Sequence, residues 1–474
     1  MSARRSLAAA AVGLLALIPH RAAAMQGATG EAGLTATTTS AEARAAFWAG
    51  LDDIDNIYLP RAARQLQQAL SLDPSFGIAR VAYGLFAPGL TNEQRDEEIN
   101  RGVADAARAS TGELLVTMAW RARGAPRAEE RRVLFQAAAD LLPGDDRLSY
   151  YAAANVADQR ERERRLAEVT RRHPDYGPTF NQLAYLRWGL GDGPGALAAA
   201  EQQLKVSPNI PNAHDSYAEM LQFHGRLDEA APHYQHAMRL DADYIAAHTG
   251  LAEIAMLQGD GATARTHYGH AIQKDAVPQN KLGYRQAIAV TWVSEGNLKA
   301  AVDEYTAVAA EAERNSYPGV AATAHRNLAV LEAALGDKNT PHGHLAKAQE
   351  LGGDTPTQQV FAAFTHSLLG HMNPAKAAAG KFAEGGNAPN PTPALMRNIR
   401  AVNGVVAAAE GNTAAALEES RQAAQLGALG KALAAEQLKK SGKTAEAQAL
   451  RQEVMAFSVV DLVTAIAKQR AGKI

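Results

Sequence analysis

From residue 43 to residue 457 the apolar positions fall at helical spacing, and no segment shows the period-two alternation of a sheet strand. A longer period lies over the helical one. Residues 211–244 and 245–278 align without a gap and are identical at 12 of 34 positions. In the numbering of that unit, both have Ala at 3, 8, 20, 27 and 32, His at 4, 23 and 26, Glu at 9, Gly at 15, Tyr at 24 and Asp at 31. The small residues fall where two helices must approach closely. Gly225 and Gly259 fit the turn between those helices, because glycine tolerates left-handed backbone angles. A two-helix unit is too small to bury its own apolar face, so such units are expected to stack and share one continuous core.

Weaker copies extend in both directions. Gly50, Ala62, Leu66, Ala69 and Pro74 occupy positions 8, 20, 24, 27 and 32 of a unit starting at 43. Leu183, Ala184, Gly191, Ala196 and Pro208 mark one from 177, and Ile288, Ala289, Gly296, Ala301 and Tyr305 one from 282. Further units begin at 112, 322, 397 and 428, with degenerate ones near 77, 143 and 356; the unit near 77 has Asp96 where the central alanine belongs. The pattern resembles the tetratricopeptide repeat, a 34-residue helix–turn–helix. The resemblance implies an all-α fold, a right-handed α-solenoid of about eleven or twelve repeats over 43–457. Residues 458–474 would cap it, with Val459, Val460, Val463 and Ile466 on the last repeat and Lys468, Arg470 and Lys473 in water.

The N-terminus changes the picture. Arg4 and Arg5, the apolar run Leu7 to Ile18 and Ala22-Ala23-Ala24 have the layout of a cleavable signal peptide, residues 1–24, and 25–42 read as a flexible lead-in. The run is too short to span a bilayer comfortably, and no later segment is an integral membrane candidate. The paired arginines suit either twin-arginine export or an ordinary charged n-region. The expected location is therefore periplasmic or secreted. The chain has no cysteine, which excludes disulfides and thiolate chemistry. The formal net charge of −2 would become −5 without Arg4, Arg5 and Arg21, so nucleic acid is not an expected partner.

The recurrent histidines have two readings. His233, His236, His267 and His270 form two i, i+3 pairs one repeat apart and could supply metal ligands. Against this, the pairs were duplicated together with structural Tyr234 and Tyr268, and no carboxylate partner for them is visible. On a helical wheel position 23 lies about 67° and position 26 about 127° from the buried direction. His233 and His267 are thus expected at the edge of the seam, and His236 and His270 in solvent. His214, His248 and His325, at position 4, read as helix-packing residues. No metal or other cofactor is expected on this reading.

The other candidates for chemistry are weak. Gly191-x-Gly193-x-x-Ala196 matches a relaxed dinucleotide fingerprint, but it follows a helix and ends on a central repeat alanine, so it reads as a turn. The charge runs 96–98 and 161–165 read as solvated helix faces. No nucleophile–base–orienter set is assembled, and catalysis is not expected. The resemblance implies instead that first-helix positions 2, 5, 9, 12 and 13 line a concave groove for an extended peptide or a partner helix. That groove would show Asn181, Tyr185 and Trp188, then Asn212, Asp215, Glu219, Gln222 and Phe223, then Thr249, Glu253 and Met256. Aromatic anchors beside carboxylates suit a protein or peptide with apolar and basic side chains. Family members that clamp acidic chaperone tails carry Lys or Arg at 5 and Asn at 9. Here Asn181, Asp215, Thr249 and Tyr185, Glu219, Glu253 stand there, which contradicts such a clamp.

Overall fold

The computed structural model describes residues 33–387, 391–423, 427–457 and 460–474. The segment read as a signal peptide lies outside them. Over the described residues the 34-residue period resolves into antiparallel helical hairpins, with 25 α-helices and no strand. The repeated small residues do what their spacing demands. Ala184, Ala218, Ala252, Ala289 and Ala329 at position 8 are fully buried, as are Ala196, Ala230, Ala264 and Ala301 at position 20. Tyr234, Tyr268 and Tyr305 fill position 24 beside them, also buried. Gly225 turns the chain with φ of +73°. At Gly250 the next hairpin comes so close that an added Cβ would sit 2.3 Å from the Tyr234 ring. This is the stack of hairpins that the tetratricopeptide resemblance implies.

The chain divides into two compact units, one ending at Asp158 and one running Gln159–Ile474. The first has hairpins Ala41–Asp55/Leu59–Leu72, Gly77–Phe86/Asn92–Asp105 and Thr111–Arg121/Ala128–Leu141, closed by the helix Asp146–Ala154. Its core is aromatic: Phe47 lies 5.1 Å from Phe76, and Tyr151 packs against both Trp120 and Phe135. The degenerate hairpin explains itself here. With Asp96 in place of the central alanine, the close helix contact moves to Gly77 and Gly102, where an added Cβ would approach backbone within 2.4 and 2.8 Å. Asp96 itself is exposed and pairs with Arg123.

The described part of the lead-in, residues 33–40, is extended and bound to this unit. Leu34 N–H donates to Asp145 Oδ2 at 2.7 Å and Thr37 N–H to Glu113 Oε2 at 2.8 Å. Thr38 Oγ1 donates to Asp73 Oδ2 at 2.6 Å, and Leu34 and Ala36 are buried. An extended segment has free backbone donors, and here carboxylates at the hairpin ends satisfy them. Ser40 then caps the first helix, accepting from Ala43 N–H.

The second unit opens with the helix Gln159–Arg172, so the degenerate repeat near 143 is split between the two units. Next come the hairpins Gly177–Leu190/Gly193–Val206, Pro211–Phe223/Leu227–Leu240 and Ile245–Leu257/Gly261–Lys274. The longer Pro278–Ser294/Leu298–Arg314 follows, then Pro318–Leu335/Thr340–Gly352, Pro356–Leu369/Met372–Ala383, Pro393–Ala409/Thr413–Gln422 and Ala428–Lys440/Thr444–Met455. The last helix, Leu462–Ala471, packs on Ala428–Lys440 as a cap should. It also folds back onto Pro278–Ser294 and Pro318–Leu335, and Gln469 Nε2 donates to Ser294 O at 2.8 Å. This packing corrects the cap's expected polarity. Ile466 is buried, but Lys468 is only half-exposed and Arg470 is held by a bidentate pair with Glu436, leaving Lys473 in water; Val459 lies outside the described residues.

Candidate binding face

The first helices of three successive hairpins, Gly177–Leu190, Pro211–Phe223 and Ile245–Leu257, carry the expected groove residues. Each helix ends just after its aromatic or apolar anchor. Gly191 is left-handed with φ of +87°, and Asp192 caps the next helix by accepting from Gly195 N–H. The glycine-rich stretch is thus the intra-hairpin turn, with Ala196 fully buried behind it. That turn leaves Trp188 part-exposed at the helix end. Its indole stacks on Phe223 of the next hairpin, with ring centroids 4.8 Å apart and planes 18° from parallel. Such a pair presents an apolar shelf.

The acidic residues adjoin it. Tyr185 donates its hydroxyl to Glu219 and lies 3.5 Å from Ser216 Oγ. Gln222 Nε2 donates to Glu253 Oε2 at 2.8 Å while Tyr234 donates to Gln222 Oε1 at 3.0 Å. Burial among the hairpins pushes the Asp215 carboxyl well above its usual range. The neighbouring Glu219 and Glu253 charges add to this, and a hydrogen bond from Tyr244 partly offsets it. Burial likewise raises Glu219, against the Tyr185 hydrogen bond, and raises Glu253, against Gln222. Among the described residues no cation offsets the three. Burial thus disfavours the charged form of all three carboxyls.

Four expected groove residues do something else. Asn181 is buried and donates to Ser216 Oγ at 2.7 Å and Gln203 Oε1 at 3.2 Å. Asn212 and Gln222 are buried in the same kind of hairpin-to-hairpin bonding. Met256 is buried too, beside a cleft of about 470 Å³ whose other wall is Thr464 and Lys468 of the folded-back last helix. Asn181, Asn212 and Gln222 therefore tie hairpins together. The rest of positions 5, 9 and 13, with Trp188, remain as the part-exposed strip.

The histidines form a regular structural device. His214 Nδ1 lies 3.2 Å from His233 Nδ1, His248 Nδ1 lies 3.4 Å from His267 Nδ1, and His325 Nδ1 lies 2.9 Å from His344 Nδ1. Each pair joins position 4 of a first helix to position 23 of its partner. His214 donates from Nε2 to Pro208 O at 3.0 Å, which leaves its Nδ1 to accept from His233. His270 is exposed as expected, but His236 is not simply in solvent: it stacks on His214 with centroids 4.1 Å apart. The two duplicated pairs are thus drawn to His214 and His248 in separate hairpins, so His233, His236, His267 and His270 do not converge on one point. Among the described residues, the one group of three potential metal ligands whose donor atoms lie within 4.8 Å of one another is a different one: His342, His366 and His371. Its members come from two hairpins at unrelated repeat positions, so no spacing in the sequence connects them.

No protein-family model matches this chain, and no curated protein does. Solved structures similar to it include three tetratricopeptide-type or related chains. A thermophilic TPR protein of Thermus thermophilus, TTC0263, is 18% identical over 36% of this chain and 96% of its own, with a TM-score of 0.32. YrrB, described as a TPR protein with an unusual peptide-binding site, is 18% identical over 41% of this chain and 95% of its own, with a TM-score of 0.27. The human IFIT1 dimer with PPP-AAAA is 15% identical over 82% of this chain and 95% of its own, with a TM-score of 0.45.

Proposed function

We propose that this protein is a non-enzymatic scaffold that binds an extended peptide or partner helix with apolar and basic side chains. The docking strip is formed by Tyr185, Trp188, Asp215, Glu219, Phe223 and Glu253. The observation that carries this reading is the juxtaposition of the stacked Trp188–Phe223 shelf with three carboxylates that no cation among the described residues neutralises. An apolar side chain gains contact area on the shelf. A lysine, an arginine or a peptide amino terminus would favour the charged form that burial disfavours.

The proposal places this binding outside the cytoplasm, on the signal-like residues 1–24. Among the described residues no helix is long and apolar enough to cross a membrane. N-terminal sequencing of the native protein tests the location: a mature chain beginning at Met25 is expected, and an intact Met1 in the cytosolic fraction would contradict it. Selection from a random displayed peptide library tests the binding. Enrichment of Lys or Arg next to aromatic or branched apolar residues is expected; acidic or featureless winners would contradict it.

A further inference from the structure

The group His342, His366 and His371 shares no residue with the docking strip or with the position 4/23 pairs. His342 stands in the first turn of the helix Thr340–Gly352, and His366 in the last turn of Pro356–Leu369. Gly370, left-handed at φ of +75°, reverses the chain so that His371 precedes the helix Met372–Ala383; His371 N–H donates back to His366 O at 2.8 Å. That helix-ending turn is what brings two of the imidazoles together, while the preceding hairpin supplies the third.

The three rings lie close together. His342 and His371 are parallel within 4°, with centroids 5.1 Å apart, and His366 sits 5.3 Å from His342 and 6.2 Å from His371. One nitrogen from each lies within 4.8 Å of the other two. His366 Nδ1 is buried and has no hydrogen-bond partner, which is unusual for a buried polar atom. His371 is exposed and His342 reaches solvent at its helix start, so one side of the group is open to water and to entry of a ligand.

We propose that His342, His366 and His371 bind one divalent transition-metal ion that cross-links the hairpins Pro318–Leu335/Thr340–Gly352 and Pro356–Leu369/Met372–Ala383. Three neutral nitrogen donors without a carboxylate suit zinc, nickel or copper, and not calcium or magnesium, which require oxygen ligands. Ligation at about 2.0–2.1 Å would place the three nitrogens roughly 3.3 Å apart. The two solvent-reaching imidazoles attain that spacing by rotamer adjustment at the ends of their helices. Water fills the remaining position, and the ion acts as a clip between neighbouring repeats.

The test uses the full mature chain, freed of metal by dialysis against a chelator, and Zn²⁺, Ni²⁺ or Cu²⁺ alone as the probe. Calorimetric titration should show one equivalent bound at this site and a higher melting temperature, with Ca²⁺ and Mg²⁺ inactive. His342→Ala and His371→Ala, both at solvent-accessible positions, should each weaken that equivalent by roughly tenfold or more. His236→Ala/His270→Ala should leave it intact. The electron paramagnetic resonance spectrum of the Cu²⁺ complex should show splitting from three nitrogens, and lose it in His371→Ala. A site whose affinity and spectrum are unchanged in both single variants, or a wild-type chain that binds none of the three ions, would overturn the proposal.

Discussion

Trp188 and Phe223 meet face to face across two hairpins, each at the end of a first helix and each part-exposed. In the interior such a stack would be core. At the rim of a strip whose carboxylates are all pushed up by burial, it is a preformed surface beside charge that no described cation neutralises. The fold sets this relationship, because both rings are placed by the same turn glycines and central alanines that make the repeat.

That dependence gives the first prediction. Ala230→Leu and Ala264→Leu force a larger side chain into fully buried helix contacts, which typically costs about 1–3 kcal/mol. Thermal melts of the single variants should show lowered transitions; wild-type melting of both would mean that the repeat register is wrong.

The carboxylates should oppose stability. A carboxyl raised in the folded state favours folding below its unfolded pKa, and that contribution is lost as pH rises through the folded value. Asp215→Asn keeps an acceptor for Tyr244 and removes the charge. At pH 7 it should raise the melting temperature, and by more than it does at low pH. It should also flatten the decline in stability above the carboxylate range. A lower melting temperature in Asp215→Asn would show that the ionised group is satisfied.

The buried histidines act at the other end of the pH scale. His248 is pushed down from 6.5 to about 4, by burial first and then by His267, His270 and Lys274. The unfolded chain therefore takes up this proton first, and stability is lost as pH falls from 6.5 toward about 4. His248→Leu supplies the large apolar residue usual at position 4. Its melting temperature should fall less steeply over that interval than the wild type's, and a parallel pH profile would remove His248 as a cause.

Residues 33–40 should be integral to the first unit. Removing residues 1–40 takes Thr37 N–H from the buried Glu113 carboxylate and Leu34 N–H from Asp145. Leaving a buried acceptor without its donor costs about 1–3 kcal/mol. Amide exchange in the helix Thr111–Arg121 should quicken accordingly; unchanged exchange would show the segment to be dispensable.

Much of this was legible in the sequence because the repeat is a local code. A central alanine at Ala230 or a turn glycine at Gly225 declares its place by its distance from its copy 34 residues on. The Trp188–Phe223 pairing followed from the same arithmetic. What escaped depends on which neighbours a position acquires. Asn181 and Gln222 lie on the groove side of the wheel, yet both are buried with hydrogen bonds to the next hairpin. Lys468 looked solvated until the last helix folded back on Pro278–Ser294. The His325–His344 contact was within reach, since the two residues stand at positions 4 and 23 of one unit, whereas His342, His366 and His371 converge only through tertiary structure.

The central claim is that the strip around Trp188 binds basic, apolar peptide. Fluorescence anisotropy of a labelled library-selected peptide, titrated with wild-type and variant chains, tests it most directly. Trp188→Ala should weaken binding by at least about tenfold, or roughly 1.4 kcal/mol. Glu219→Lys with Glu253→Lys should mainly slow association at low salt. His236→Ala/His270→Ala, away from the strip, should bind as the wild type does. Undiminished binding by Trp188→Ala, with loss in the histidine variant, would contradict the account and move the binding surface to the other side of the hairpins.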